Sequence, residues 1–553
     1  MNSGGFGNQT EWDGEYDVVV VGFGAAGACA AIEAADQGGR VLVIDRFMGG
    51  GATSRSGGVI YAGGGSEAQR SAGFKDSAGK MFRYLERETG GAVDRRTLRA
   101  FCAMSLENLR WLESLGVAIP NALYPKKTTQ PPGGYGLYFS GNERQYAKGD
   151  GPIPRGHVPL SHGMSGTVLF EALKKGALGR GISVRYRCRS GTLILDEGGS
   201  VAGIEVLSLT SNPLIRFLHA LFFYLGFVFA GCGSILNFFE KSFGSASRIR
   251  ARGGVVISCG GFVFNRAMMR EHAPAYSGCM PLGTPADDGS GIRLGRAAGG
   301  ALDALEACAA SRFFCPPEAF ASGILVSREG KRFCDESLYG ATISRHISRQ
   351  AEGSAYLVID AALYARAGDQ MKQEDRLRAS SLKRIMSGEL NALIFRKAMA
   401  FINMHVNRIK ARSIQELEKK CRVPAGSLQY TIEEHNGRIA AGKRDEFGKP
   451  DQYRDILAEP PFYAIDCRLE NRLFPSPCIT LGGLTVDGRT SQVLREDGSH
   501  LPGLFAAGRS AAGVCSRSYV SGLSLADCIF SGRRAGRGAA RAARKRKSDR
   551  RST

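Results

Sequence analysis

The stretch between residues 16 and 45 constrains this 553-residue chain more than any other. Residues 16–21 are an apolar run closed by glycine, the pattern of a strand buried on both faces of a parallel sheet. Gly22-Phe23-Gly24-Ala25-Ala26-Gly27 follows, then an alanine-rich helical stretch over 28–37, then a second apolar strand over 40–44 that ends at Asp45. Strand, helix and strand within about 30 residues make a right-handed βαβ unit of Rossmann type. Gly22 and Gly24 permit the tight turn and the close approach of a pyrophosphate. Gly27 lets the helix pack on the strand. The helix N-terminus favours the phosphate charge. Asp45 can accept from ribose hydroxyls, and an acid rather than an arginine there fits NAD or FAD better than NADP.

Glycine is in excess: 74 of 553 residues, about twice the usual ~7%. The glycines cluster without a three-residue period, so collagen is excluded and close backbone approach to a ligand is expected. After the βαβ unit come Gly50-Gly51-Ala52-Thr53-Ser54-Arg55-Ser56-Gly57-Gly58, Cys259-Gly260-Gly261-Phe262 behind a strand over 255–258, and Ala506-Ala507-Gly508-Arg509 behind another apolar strand. The net charge is +21. Ten basic residues and one acid lie between Arg533 and Thr553, so +9 sits in a terminus expected to be solvated. The remainder is diffuse and carries no aromatic–basic interleaving, which argues against nucleic acid as a partner. The fourteen cysteines form no CxxC and no Cys/His cluster, so no metal site is expected. They read as small buried groups of a reducing compartment. Residues 1–16 are polar, without an apolar signal core. A cytoplasmic enzyme is expected.

Residues 82–115 read as one helical stretch, and 415–421, 428–442 and about 524–543 as further helices. The piece over 214–239 is unusual. It is almost wholly apolar, and Arg216 and His219 are its only strongly polar side chains before Asn237. The strands on either side belong to one domain, so a single membrane crossing would separate them. A helical hairpin broken near Gly231–Gly233, or a segment lying on a membrane surface, satisfies that constraint, as does a helix pair packed on the protein.

With these motifs in view, the chain resembles the flavoprotein family of fumarate reductases and 3-ketosteroid dehydrogenases over roughly residues 16–536. The resemblance rests on the glycine clusters, on Gly482-Gly483-Leu484 and on Pro502-Gly503-Leu504-Phe505-Ala506-Ala507-Gly508. It implies an α/β fold: a Rossmann-like FAD-binding domain made of two chain segments, 1–283 (with the apolar insert 211–243) and 466–540. An α+β substrate domain over 284–465 lies between them, and a basic tail over 541–553 follows. It implies non-covalent FAD, since no histidine precedes Arg155. The implied cofactor contacts are Gly22, Gly24, Ala26, Gly27, Asp45, Arg46, Ala52, Thr53, Ser54, Gly57, Gly58, Gly261, Asp288, Gly508, Arg509, Ser524 and Leu525. Gly522 and Tyr138 are implied at the substrate.

The motif at 515–523 separates the branches of that family. Fumarate reductases carry a pattern like His-Gly-Ala-Asn-Arg-Leu-Gly-Gly-Asn, whose arginine donates the proton. Aligned on Gly522, this chain has Cys515 for the histidine and Tyr519 for the arginine, with Arg517 out of register. Tyr519-Val520-Ser521-Gly522 and Phe333-Cys334-Asp335-Glu336-Ser337-Leu338-Tyr339-Gly340 instead look like the Δ4-(5α)-dehydrogenase branch, as do Tyr138-Phe139-Ser140-Gly141-Asn142-Glu143 and Pro154-Arg155-Gly156-His157. Tyr519, Ser521 and Tyr339 then match the catalytic residues. Dehydrogenation beside a ketone needs a donor on the carbonyl oxygen, a base for the α-proton and flavin as hydride acceptor, and hydroxyls can fill the first two roles. Which hydroxyl removes the proton stays open. Δ1-dehydrogenation, enoate reduction and a membrane-binding flavoprotein without this activity are the alternatives. The implied partners are an apolar ketone such as a steroid, an unspecified electron acceptor and a membrane surface at 214–239, which would hold the enzyme peripherally at the inner face of the membrane. His157 and His162 read as structural.

Overall fold

The computed structural model describes residues 11–91, 94–146, 149, 151–161, 165–229, 231–312, 317–379, 397–471, 473 and 475–552, with the side chains of 374–379 and 550–552 left aside. His162 lies outside the described residues.

The apolar runs become the centre of an eight-stranded sheet. Its main path runs Gln492–Leu494, His500–Ala506, Gly244–Ile257, Gly14–Val21, Val41–Ile44, Ser183–Arg185. The inner strands are parallel. Val21 pairs with both Ile44 and Ile257, and Ile257 pairs with Ala506, so four strands end at one level. Val18, Val19, Val20, Val255, Val256 and Leu504 are fully buried, as expected of strands covered on both faces. The α/β reading of the sequence holds.

Two helices, Ala25–Asp36 and Leu523–Ser552, pack against each other on one face of this sheet. Small residues set their separation: a Cβ on Gly536 would lie 2.1 Å from the Ala30 carbonyl oxygen, and one on Gly532 2.4 Å from that of Ala26. The second helix runs well past the expected end near 543. Part of its basic run is held by acids of the fold, while Arg541, Arg544 and Lys545 are exposed as expected. Arg533 and Arg537 bind Glu33, and Lys547 binds Asp17 at 2.8 Å. The helical stretch expected over 82–115 is two helices, Ala78–Glu88 and Arg95–Ser114, because Asp94 caps the second by accepting from Thr97 N at 2.8 Å.

A second sheet, all antiparallel, has the order Ile324–Val326, Tyr356–Ile359, Phe462–Asp466, Arg408–Ala411. It builds its own core around Phe320, Leu357, Ile359 and Ala464. A short three-stranded sheet of Met280–Pro281, Pro477–Thr480 and Cys308–Ala310 completes the surroundings of the site.

The apolar insert is a helical hairpin. Strand Val201–Leu209 pairs antiparallel with Gly244–Ile257, and helices Pro213–Leu225 and Cys232–Phe243 stand between them. The first helix ends at Leu225 and the second begins at Cys232, within the expected Gly231–Gly233. Among the described residues no helix is long and apolar enough to cross a membrane. The hairpin has two unlike faces. Leu214, Phe217, Tyr224, Val228, Phe229 and Phe238 are exposed, Val228 by 73%. His219 and Glu240 are buried.

Candidate active site

The four parallel strands deliver Asp45, Gly22, Ser258 and Ala507-Gly508 to one sheet edge, where α/β sheets bind ligands. A cavity of about 950 Å³ opens there. At its phosphate end Gly22 has φ +99, and a Cβ on it would lie 2.6 Å from the Ser258 carbonyl oxygen, so only glycine passes. Gly27 sits behind it, with no room for a side chain against the Gly22 carbonyl. The Ala25–Asp36 helix points its N-terminus at the cavity.

Asp45 ties this loop together. Its Oδ2 accepts from Phe23 N at 2.8 Å, and its Oδ1 accepts from Phe47 N at 2.8 Å and Gly49 N at 3.1 Å. Burial raises its pKa and the three N–H groups oppose that shift. Thr53 Oγ1 accepts from Ala25 N at 3.0 Å. Arg509 donates from Nη2 to Asp287 Oδ1 at 2.7 Å. Its Nη1 is buried without a protein partner on a side chain that lines the cavity. That orphaned cationic nitrogen, the glycine cradle and the helix N-terminus together fit a flavin dinucleotide.

Hydroxyls and apolar walls make the other end. Tyr339 and Tyr519 face each other with ring centroids 6.3 Å apart. Ser521 and Ser311 stand within reach of the Tyr339 hydroxyl. Tyr138 donates to Ser521 Oγ at 3.2 Å. Burial holds the Tyr339 phenol well above its ordinary range, against the pull of Ser521 and Ser311. Burial pushes the Tyr519 phenol up to about 12, with Cys515 adding to it and the Gly522 N–H opposing it. Both phenols are therefore neutral donors at neutral pH. The loop bearing Tyr519 and Ser521 is pinned from below: Ser521 N donates to Ser140 O at 3.2 Å, and Ser140 Oγ donates to Ser521 O at 3.0 Å. Met280, Leu282, Ala309, Pro477 and Ile479 form the apolar wall.

Of the residues singled out in the sequence, Gly22, Gly24, Ala26, Asp45, Arg46, Ala52, Thr53, Ser54, Gly57, Gly58, Gly508, Arg509, Ser524, Leu525, Tyr339, Tyr519, Ser521 and Gly522 line this one cavity. Gly27, Gly261, Asp288 and Tyr138 stand behind it. Gly261 N donates to Asp287 Oδ1 at 3.1 Å. Asp288 accepts from Arg46 Nη1 at 2.9 Å and from Ser290 N at 2.8 Å, so its neighbour Asp287 is the acid on the lining. Arg517 is half-exposed and pairs with Asp303 at 2.8 Å, far from a role in the cavity. His157 is buried between Ser66 Oγ, at 2.7 Å, and the Arg155 carbonyl, and burial lowers its pKa to about 4.

Sequence reasoning missed Arg189, Ser190, Ser258, Thr284 and Ser311, which also line the cavity. Ser258 directly precedes the Cys259-Gly260-Gly261 cluster and was open to detection. Arg189 and Ser311 carry no local signal, because antiparallel pairing from outside the βαβ unit brings them in.

A family model described as an FAD binding domain matches residues 17–522. The 3-oxo-5-alpha-steroid 4-dehydrogenase of Comamonas testosteroni is 33% identical, over 91% of this chain and 94% of that protein. The crystal structure of 3-ketosteroid-delta4-(5alpha)-dehydrogenase from Rhodococcus jostii RHA1 in complex with 4-androstene-3,17-dione superposes with a TM-score of 0.78 at 32% identity, covering 96% of this chain and 98% of that one. A fumarate reductase (cytochrome) of Shewanella frigidimarina is 24% identical over 96% of this chain and 78% of its own length. The chain belongs to the FAD-binding-domain family of flavoproteins, and FAD is its cofactor.

Proposed function

We propose that this flavoprotein dehydrogenates 3-oxo-5α-steroids to 3-oxo-Δ4-steroids. The observation that carries the reading is the hydroxyl set at the apolar end of the cavity. A tyrosine stands at 519, where a fumarate reductase would need its arginine, its ring faces Tyr339, and Ser521 lies between the Tyr339 and Tyr138 hydroxyls. The two relatives named for steroid dehydrogenation, at 33% and 32% identity, support it.

The residues divide the work. The Met280, Leu282, Ala309, Pro477 and Ile479 wall takes the hydrocarbon skeleton. A neutral buried phenol donates to the 3-oxo oxygen and stabilises the charge that develops as the α-proton leaves. The α-proton goes to a hydroxyl oxygen at Tyr519 or Ser521 that has first given up its own proton to solvent, a minor ionised form, and Tyr138, which donates to Ser521 Oγ from behind, favours that charge there. Bound FAD supplies the hydride acceptor for the β-carbon. The outward face of the hairpin, with Phe217 and Phe238 exposed by 63% and 62%, supports contact with a membrane surface in a basic chain of net charge +21, where an apolar substrate would partition.

The test is the purified protein with 5α-androstane-3,17-dione and a dye acceptor. The expected product is the conjugated Δ4-enone. Rapid oxidation of reduced viologen by fumarate without enone formation would overturn the reading, and a Δ1 product would replace it by Δ1-dehydrogenation. Vesicle flotation with and without residues 211–243 tests the membrane contact: equal flotation of both forms refutes it.

A further inference from the structure

The inward face of the hairpin carries a polar group, His219, Asn237 and Glu240, among apolar side chains, and it closes on the part of the cavity next to Asp45. The acid at the end of the second strand addresses the adenosine ribose in a dinucleotide fold, so Asp45, Arg46 and Phe47 mark the adenosine end. Arg46 and Arg189 both line the cavity there; Asp288 and the ring of Phe47 hold Arg46 from one side, and the hairpin holds both arginines from the other. Arg46 donates from Nε to Glu240 Oε1 at 2.7 Å and from Nη2 to Asn237 Oδ1 at 2.9 Å. Arg189 donates from Nη1 to the same Asn237 Oδ1 at 2.8 Å and to Glu240 Oε2 at 3.3 Å. His219 Nε2 lies 3.0 Å from Glu240 Oε1. Phe47 is sandwiched into the same contact, 4.3 Å from Phe223 and 5.4 Å from His219 between ring centroids.

We propose that the 213–243 hairpin is a clamp for the adenosine end of FAD, with Glu240 as the positioning residue that holds Arg46 and Arg189 in the cavity wall. One carboxylate, 4% exposed, bridges and orients two guanidiniums, with Asp288 as the second acid on Arg46. Without its charge Arg189 loses its carboxylate and Arg46 keeps only Asp288, so the orientation that lines the adenosine subsite is weakened. The inference extends beyond the steroid reading and does not depend on it, since FAD binding alone reports on it.

The experiment is titration of FAD-depleted protein with FAD, followed by quenching of flavin fluorescence, for the parent and for Glu240→Gln and Asn237→Ala. Glu240→Gln is expected to raise the FAD dissociation constant by about tenfold or more, as removal of one partner of a buried charge pair does. Asn237→Ala, half-buried and milder, is expected to raise it about threefold. The thermal stabilisation given by added FAD should shrink in step. Phe217→Ser, on the exposed face, should leave the dissociation constant unchanged. A dissociation constant within twofold of the parent's in folded Glu240→Gln overturns the proposal. If that variant does not fold, an unchanged constant in Asn237→Ala overturns it. The FAD titration contains no steroid, so absence of steroid turnover with these shifts intact would remove the substrate reading and leave the clamp standing.

Discussion

The two ends of the cavity hold their ligands by different physics. At the phosphate end the contacts are backbone N–H groups and a helix N-terminus, and the buried Arg509–Asp287 pair stands between that end and Tyr519, whose phenol feels the Arg509 charge. Those groups are charged or dipolar and oriented before any ligand arrives. At the catalytic end the polar groups are hydroxyls, Tyr138, Ser521, Tyr339 and Tyr519, set in an apolar wall, with the Tyr339 and Tyr519 phenols kept neutral by burial. Retention of the cofactor and transfer of the substrate's proton are therefore built from separate residues, and substitutions should separate them.

The largest separation is expected from Tyr519→Phe. Loss of one positioned proton-transfer or oxyanion donor lowers turnover by about 10²–10⁴-fold. The FAD absorbance spectrum and FAD stoichiometry should stay those of the parent. A variant that loses FAD together with turnover would break the division between the two ends.

Arg509→Gln is the converse. It leaves Asp287, 4% exposed, as a buried carboxylate without its cation. A loss of about 3–5 kcal/mol in stability follows from breaking a buried pair on one side, with weaker FAD retention. Thermal unfolding with and without FAD measures both. Substrate KM at saturating FAD should change little if the ends are independent.

The smallest effect concerns the support beneath the catalytic loop. Glu143 accepts from Gly141 N at 2.8 Å, and burial raises its pKa to about 7 from an ordinary 4.5. A group whose folded pKa is raised favours the fold while protonated, so its contribution is present below about pH 4.5 and is lost as pH rises through about 7. Glu143→Gln removes that loss. Its unfolding midpoint should gain on the parent's between pH 5 and pH 8, by about 1–3 kcal/mol in stability. A gap between the two proteins that does not change with pH would show that Glu143 is ionised in the fold.

The glycine excess illustrates how much of this was legible beforehand. The clusters at 22–27 and 50–58 announce themselves because strand, turn and helix follow each other directly, and the chain has few ways to fold such a run. Gly532 and Gly536 belong to a run that resembles the family's, but their physical reason is not local: a second helix that starts about 500 residues earlier approaches to backbone contact. Asp287 and Asp288 are neighbours with equal claims in the sequence. The fold turns one towards Arg509 and the cavity and the other towards Arg46. The basic run from 533 looked like a solvated terminus by composition, and only the buried partners Glu33 and Asp17 make part of it structural.

By itself the sequence determined the βαβ unit, the cofactor class and the tyrosine at 519, because each depends on residues close together or on a local pattern with one physical solution. The tertiary structure decided which hydroxyls meet, which acid faces the cavity and that one hairpin faces outward with phenylalanines and inward with Glu240. Those outcomes depend on packing between segments hundreds of residues apart, and burial, which sets the charge state of every group at the catalytic end, exists only once they have met.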